Sequence, residues 1–120
     1  MGDLTKNFSR SEFTCRCGCG LSMVSPHLLE SLQRAREALG KSIRINSGFR
    51  CKDHNKAVEG AENSEHLTGE AVDISCENSA ERWELLGILQ SYFTRIGFAK
   101  NFIHVGVSPT KDQRVLWLYE

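Results

Sequence analysis

An α+β fold is what this sequence predicts, on three observations. Two stretches carry apolar residues at helical spacing, and several short runs alternate apolar and polar residues as half-buried strands do. The third is size: 120 residues suit one compact domain, which buries roughly two thirds of the surface its unfolded chain exposes. No repeat, low-complexity tract or charge run divides the chain, so residues 1–120 read as a single domain.

The first helix opens at Ser25-Pro26, where a serine caps and a proline fits the first turn. Leu28, Leu29, Leu32, Ala35 and Leu39 recur along one face, and Gly40 stops it. Ser42 to Asn46 alternates, with Ile43 and Ile45 together, before Ser47-Gly48 breaks the run into a loop. Cys51 to Val58 suits a short helix closed by Gly60. Ala71 to Cys76 then places Val72, Ile74 and Cys76 on one face and Ala71, Asp73 and Ser75 on the other. A helix from Asn78 or Ser79 through Trp83, Leu86, Leu89 and Phe93 is expected to end before Gly97. Phe102 to Val107 sets Ile103, Val105 and Val107 opposite Phe102, His104 and Gly106. Val115 to Tyr119 reads as a last strand, after a turn made by Pro109 and Lys111 to Arg114.

Composition narrows the function. Hydrophobic residues make up 40% and charged residues 25%, a globular balance, and 15 Lys plus Arg meet 15 Asp plus Glu. Without a basic surplus, neither nucleic acid nor a membrane is an expected partner, since both reward displaced counterions or contact with anionic lipid. No window approaches the ~20 apolar residues of a bilayer span. The opening Met1 to Asn7 holds no apolar signal core, so synthesis in the cytoplasm without a signal peptide is the expectation.

Chemistry concentrates in His66, Asp73 and His104. His66 sits in a polar loop, while Asp73 and His104 occupy the faces of two strands that turn away from the apolar side. If those strands pair, the carboxylate and imidazole stand side by side with His66 reaching over. Two nitrogens and one oxygen suit zinc, with a fourth position open to water. On spacing alone, an exposed loop histidine and strand residues bonded to neighbouring backbone are the more ordinary readings.

The flanking residues carry further information. Ser47-Gly48-Phe49-Arg50 with His54-Asn55, then Ser64-Glu65-His66-Leu67-Thr68-Gly69-Glu70-Ala71-Val72-Asp73, and finally Phe102-Ile103-His104-Val105 closely resemble the zinc D-Ala-D-Ala carboxypeptidase family. That family shares its fold with the hedgehog signalling domain. The likeness runs from about Phe8 to Tyr119, with the motif-bearing core at about 25–119 and a cysteine-rich segment at 8–20. It implies an antiparallel sheet with helices packed on it. It also implies a Zn2+-dependent peptidase with His66, Asp73 and His104 as metal ligands, acting on a peptidoglycan stem peptide or another D-Ala-terminated peptide. Arg50 stands where the family binds the substrate carboxylate or polarises the scissile carbonyl, a task for a planar charged fork; its alternative is a surface ion pair. Ser64 is placed to bond substrate or the ligand shell, and His54 to orient the loop bearing Arg50 or to lie exposed. The absent leader suits a phage product that meets the cell wall at lysis or from the particle.

One departure stands out. Family members place an acid three positions before the last histidine or two after it, and here those positions hold Asn101 and Gly106. The general base is therefore unassigned, with Glu65, Glu70 and His54 near the motif. A non-catalytic zinc-binding recognition module, or a phage structural component, is the competing expectation. Of the five cysteines, Cys15, Cys17 and Cys19 form Cys-x-Cys-x-Cys, compatible with a structural metal or with disulfides, including one to Cys51. Cys76 reads as a small core residue.

Overall fold

The structure is a computed structural model and describes residues 2–119. It contains α1 (Pro26–Leu39), β1 (Ile45–Ser47), α2 (Lys52–Ala57), β2 (Ala71–Ser75), α3 (Ser79–Leu89), β3 (Arg95–Phe98), β4 (Phe102–Gly106) and β5 (Val115–Leu118). Single 3-10 turns at Arg10–Phe13 and Glu65–Thr68 complete it. The strands form one sheet in the order β1-β2-β4-β3-β5, so the α+β class holds. Every pairing is antiparallel except β3 with β5, which run parallel at one edge.

Local chemistry sets the helix ends. Ser25 Oγ accepts the Leu28 N–H at 3.0 Å, Pro26 takes the first turn, and Gly40 closes α1 in the left-handed region at φ 73°. Asn78 Oδ1 accepts the Glu81 N–H at 2.9 Å to open α3. The core lies between these helices and one sheet face: Leu28, Leu32 and Ala35 from α1 and Leu85 and Leu89 from α3 meet Val72, Ile74, Ile96, Ile103 and Val105. Cys76 is fully buried in the same core, in keeping with its reading as a small apolar residue.

Two expectations are corrected. The third helix stops at Leu89, and Arg95–Phe98 is a strand rather than its tail. Trp83 is 82% exposed, whereas Leu85 faces inward. The helical repeat continued only by coincidence, because Phe93 is buried from the turn that leads into β3. The first strand begins at Ile45 rather than Ser42, since β2 ends at Ser75, whose N–H reaches Arg44 O at 2.9 Å. Ile43 is buried without being in the ladder.

Register then fixes one row of residues across the polar face. Ser47 pairs with Asp73, Asp73 with His104, His104 with Gly97, and Gly97 with Trp117. Between Ile45 and Ser47 the β1 register slips against Ile74 and Asp73. That bulge lets Ser47 share the Asp73 face while Ile45 stays with the core, a common device beside functional sites.

Candidate metal centre

Strand pairing brings Asp73 and His104 side by side, and the turn Glu65–Thr68 swings His66 over them. Ser64 caps that turn, its hydroxyl accepting the His66 N–H at 3.2 Å. All three candidate side chains are buried: His66 is 2% exposed, His104 5% and Asp73 8%. His66 Nε2 lies 3.3 Å and His104 Nδ1 3.0 Å from the same oxygen, Asp73 Oδ1. One ligand atom from each residue falls within 4.8 Å of the others.

The outward nitrogens are equally committed. His66 Nδ1 lies 2.7 Å from Gly48 O; a carbonyl only accepts, so Nδ1 donates there and Nε2 is the nitrogen turned to Asp73, the one a metal would meet. His104 Nε2 bonds Glu65 Oε2 at 2.8 Å. Imidazoles whose far sides are held by a carbonyl and a carboxylate, with near sides converging on a third oxygen, are the donor set a divalent metal requires. The residues therefore fit zinc.

Glu65 is the organiser that sequence reasoning placed nearby without an orientation. It is 4% exposed, and besides His104 it accepts from Arg95 Nε and from the Ser108 N–H, both at 3.1 Å. A Cβ at position 106 would collide with its carboxylate oxygens, so the glycine noted as a missing acid is what admits this one. Gly106→Ala is expected to evict a carboxylate held by three donors, lowering stability by about 1–3 kcal/mol in urea unfolding. No loss would remove Glu65 from this position.

Arg50 reaches the centre from the loop after β1. Its guanidinium donates to Asp73 Oδ2 at 3.2 Å and to Ser47 Oγ and Asn55 Oδ1, both at 3.3 Å. Asn55 and Ser47, which the sequence placed in the family-like motifs without a role of their own, thus aim Arg50. His54 is on α2, and among the described residues its ring has no hydrogen bond to the three candidate ligand side chains. Glu70 accepts from Thr68 Oγ1, and Asn101 is exposed in the bend just before β4. Trp117 and Tyr119 wall the other flank, with ring centroids 5.6 and 6.3 Å from that of His104. Both rings occupy the space a side chain at Gly97 would fill. A pair of glycines on the His104 face was the available sequence signal for these contacts.

Charge follows geometry. Burial opposes ionisation of Glu65, but hydrogen bonds from His104 and Arg95 prevail and hold its pKa at about 2 against an ordinary 4.5. Asp73 is likewise depressed, burial being outweighed by both imidazoles. His104 is raised: burial favours its neutral form, yet Asp73 and Glu65 on either side keep it protonated. The two acids stabilise the metal-free fold above their ordinary range, and this is lost as pH falls through their depressed values. The His104 contribution is complete below its ordinary 6.5 and lost as pH climbs through its raised value. Metal-free protein is thus expected to be most stable between pH 4.5 and 6.5, as urea midpoints in the presence of a chelator would show. A flat profile would contradict the paired charges.

The family model described as Peptidase M15 matches residues 6–106 of the chain. No curated protein matches it.

Proposed function

Because the chain belongs to the peptidase M15 family of zinc metallopeptidases, we propose that it hydrolyses an amide bond in peptidoglycan stem peptides, as a carboxypeptidase or endopeptidase. His66, Asp73 and His104 are its metal ligands in this reading. The observation that carries it is the convergence of His66 Nε2 and His104 Nδ1 on Asp73 Oδ1, with both outward nitrogens already bonded. A zinc ion held by these three side chains would supply Lewis acidity, acidifying water toward a pKa of about 7 and polarising a carbonyl.

The remaining roles belong to the chain. To hold a metal, His104 would present Nδ1 unprotonated, while Glu65 Oε2 would accept the Nε2 proton and fix the ring orientation. Arg50 uses three of its N–H donors on Ser47, Asn55 and Asp73, which leaves about two for a substrate carboxylate or carbonyl oxygen. Ser64 holds the turn that carries His66, its hydroxyl accepting the His66 N–H at 3.2 Å, which sets the position of that ring. Trp117 and Tyr119 shield the opposite flank from water. Arg50→Lys keeps charge but loses the fork, so kcat/KM is expected to fall about 10²-fold with metal content unchanged. Equal kinetics would place Arg50 outside substrate recognition.

The experiment that tests the whole reading is release of a peptide fragment or D-Ala from purified stem peptides by the zinc-loaded protein, with His66→Ala as control. Product from wild type alone supports it; equal product from both removes the centre from the reaction. A second reading is favoured by one feature: among the described residues, the carboxylates beside the two imidazoles are Asp73 and Glu65, and Glu65 already accepts from His104, Arg95 and the Ser108 N–H. The centre then binds peptide without turnover, which one zinc at this centre, measurable stem-peptide affinity and no product would establish.

A further inference from the structure

A second cluster lies apart from the histidines. The Sγ atoms of Cys15, Cys17, Cys19 and Cys51 all fall within 4.8 Å of one another. Cys15 and Cys17 are 3.4 Å apart, and Cys51 lies 3.7 Å from each. A tetrahedral zinc with Zn–S bonds of about 2.3 Å separates its sulfurs by about 3.8 Å, so these spacings are those of a ligand cage.

The backbone is folded to make it. Thr14 and Ser22 form an antiparallel bridge, and the Cys15 N–H donates to Leu21 O at 2.8 Å, closing residues 15–21 into a small loop. Gly18 and Gly20 turn that loop in the left-handed region at φ 88° and 80°, which brings alternate cysteines to one point. Backbone donors face the sulfurs: the Cys51 N–H reaches Cys15 Sγ and the His54 N–H reaches Cys51 Sγ, each at 3.4 Å. Such N–H groups offset the negative charge of thiolates. Cys17 and Cys19 are exposed, giving an ion its entry, while Cys15 is buried.

We propose that Cys15, Cys17, Cys19 and Cys51 bind a second, structural Zn2+, closed to substrate by its four thiolates. Binding forms four Zn–S bonds and releases the thiol protons to solvent; no oxidant or reductant takes part. The ion clamps the N-terminal segment onto the loop that serves the first centre. Cys51 follows Arg50 directly, Gly48 O receives His66 Nδ1, and the Phe49 N–H already bonds Phe13 O at 3.1 Å. Arg16 adds bonds to Ile45 O and Asn46 O, both at 3.2 Å. The site accounts for why a cysteine caps α2 where serine or aspartate is the usual choice.

The test is metal content of the full chain, purified under reducing conditions with zinc, beside Co2+ titration of the metal-free wild type. Two zinc ions per chain are expected in wild type, one in Cys17→Ser/Cys19→Ser and one in His104→Ala. The two centres are lost separately, so failure of the peptidase reading leaves this result untouched. Cobalt is expected to give the intense near-ultraviolet thiolate charge-transfer absorption in wild type and in His104→Ala, a readout that does not depend on the cysteine variant folding. A single zinc in wild type that the cysteine variant retains, absence of the thiolate band, or disulfides among these cysteines in the zinc-loaded protein would overturn the proposal.

Discussion

Asp73→Ala is expected to empty the histidine centre of metal and abolish stem-peptide hydrolysis. Both inward imidazole nitrogens and one Arg50 donor converge on this carboxylate, so nothing else in the row can replace it. Loss of the metal forfeits several kcal/mol of transition-state stabilisation, on the order of 10³-fold or more in rate. Asp73→Asn separates charge from shape: it keeps an oxygen at the same place in β2 but removes the anion that faces His104 and Arg50, so weakened metal binding and a lowered urea midpoint of the metal-free protein are the expected pattern. Zinc content and rate measured on both variants decide the matter. Full activity with full zinc in Asp73→Ala would exclude this residue as a ligand.

The second large effect is expected at Glu65. Its carboxylate sits beneath His104, Arg95 and the Ser108 N–H, and the Arg95–Glu65 pair is almost entirely out of water, at 11% and 3% side-chain exposure. Glu65→Leu strands that arginine and two further donors. Removing one partner of a buried ion pair costs about 3–5 kcal/mol, to be read from urea unfolding. Glu65→Gln retains an acceptor and the side-chain volume, so the fold is expected to survive while metal affinity falls about 10–100-fold, the usual consequence of losing the group that orients a liganding histidine. The two substitutions distinguish the electrostatic role of the residue from its bulk. Should Glu65→Gln bind metal as tightly as wild type, the carboxylate would be a structural counterion to Arg95 only.

The candidate ligands were legible because alternation in β2 and β4 assigns Asp73 and His104 to the faces that apolar residues leave free, and because the motif around His66 is long. β3 was not legible. Arg95-Ile96-Gly97-Phe98 does alternate, but over only four residues and just after Phe93, which extends the helical spacing of α3, so the helical period masked it; its arginine serves Glu65 and its glycine yields to Trp117 and Tyr119. Trp83 misled for the opposite reason. An aromatic at helical spacing looks like core, but α3 is rotated so that Leu85 and Leu89 meet the sheet and Trp83 faces solvent. The aromatic flank was hidden too, because a strand pattern at Val115 to Tyr119 says nothing about which neighbour it joins or in which direction.

By itself the sequence determined which residues alternate, where α1 begins and ends, and which side chains stand clear of the core. Those are properties of neighbours in the chain, governed by backbone period and capping. Only the tertiary structure decided that Glu65 lies under His104, that Gly106 makes room for it, that Asn55 and Ser47 aim Arg50, and that Cys51 meets Cys15. Such contacts join residues far apart along the polypeptide, and their geometry depends on strand register and on how loops pack over the sheet, which no local periodicity encodes.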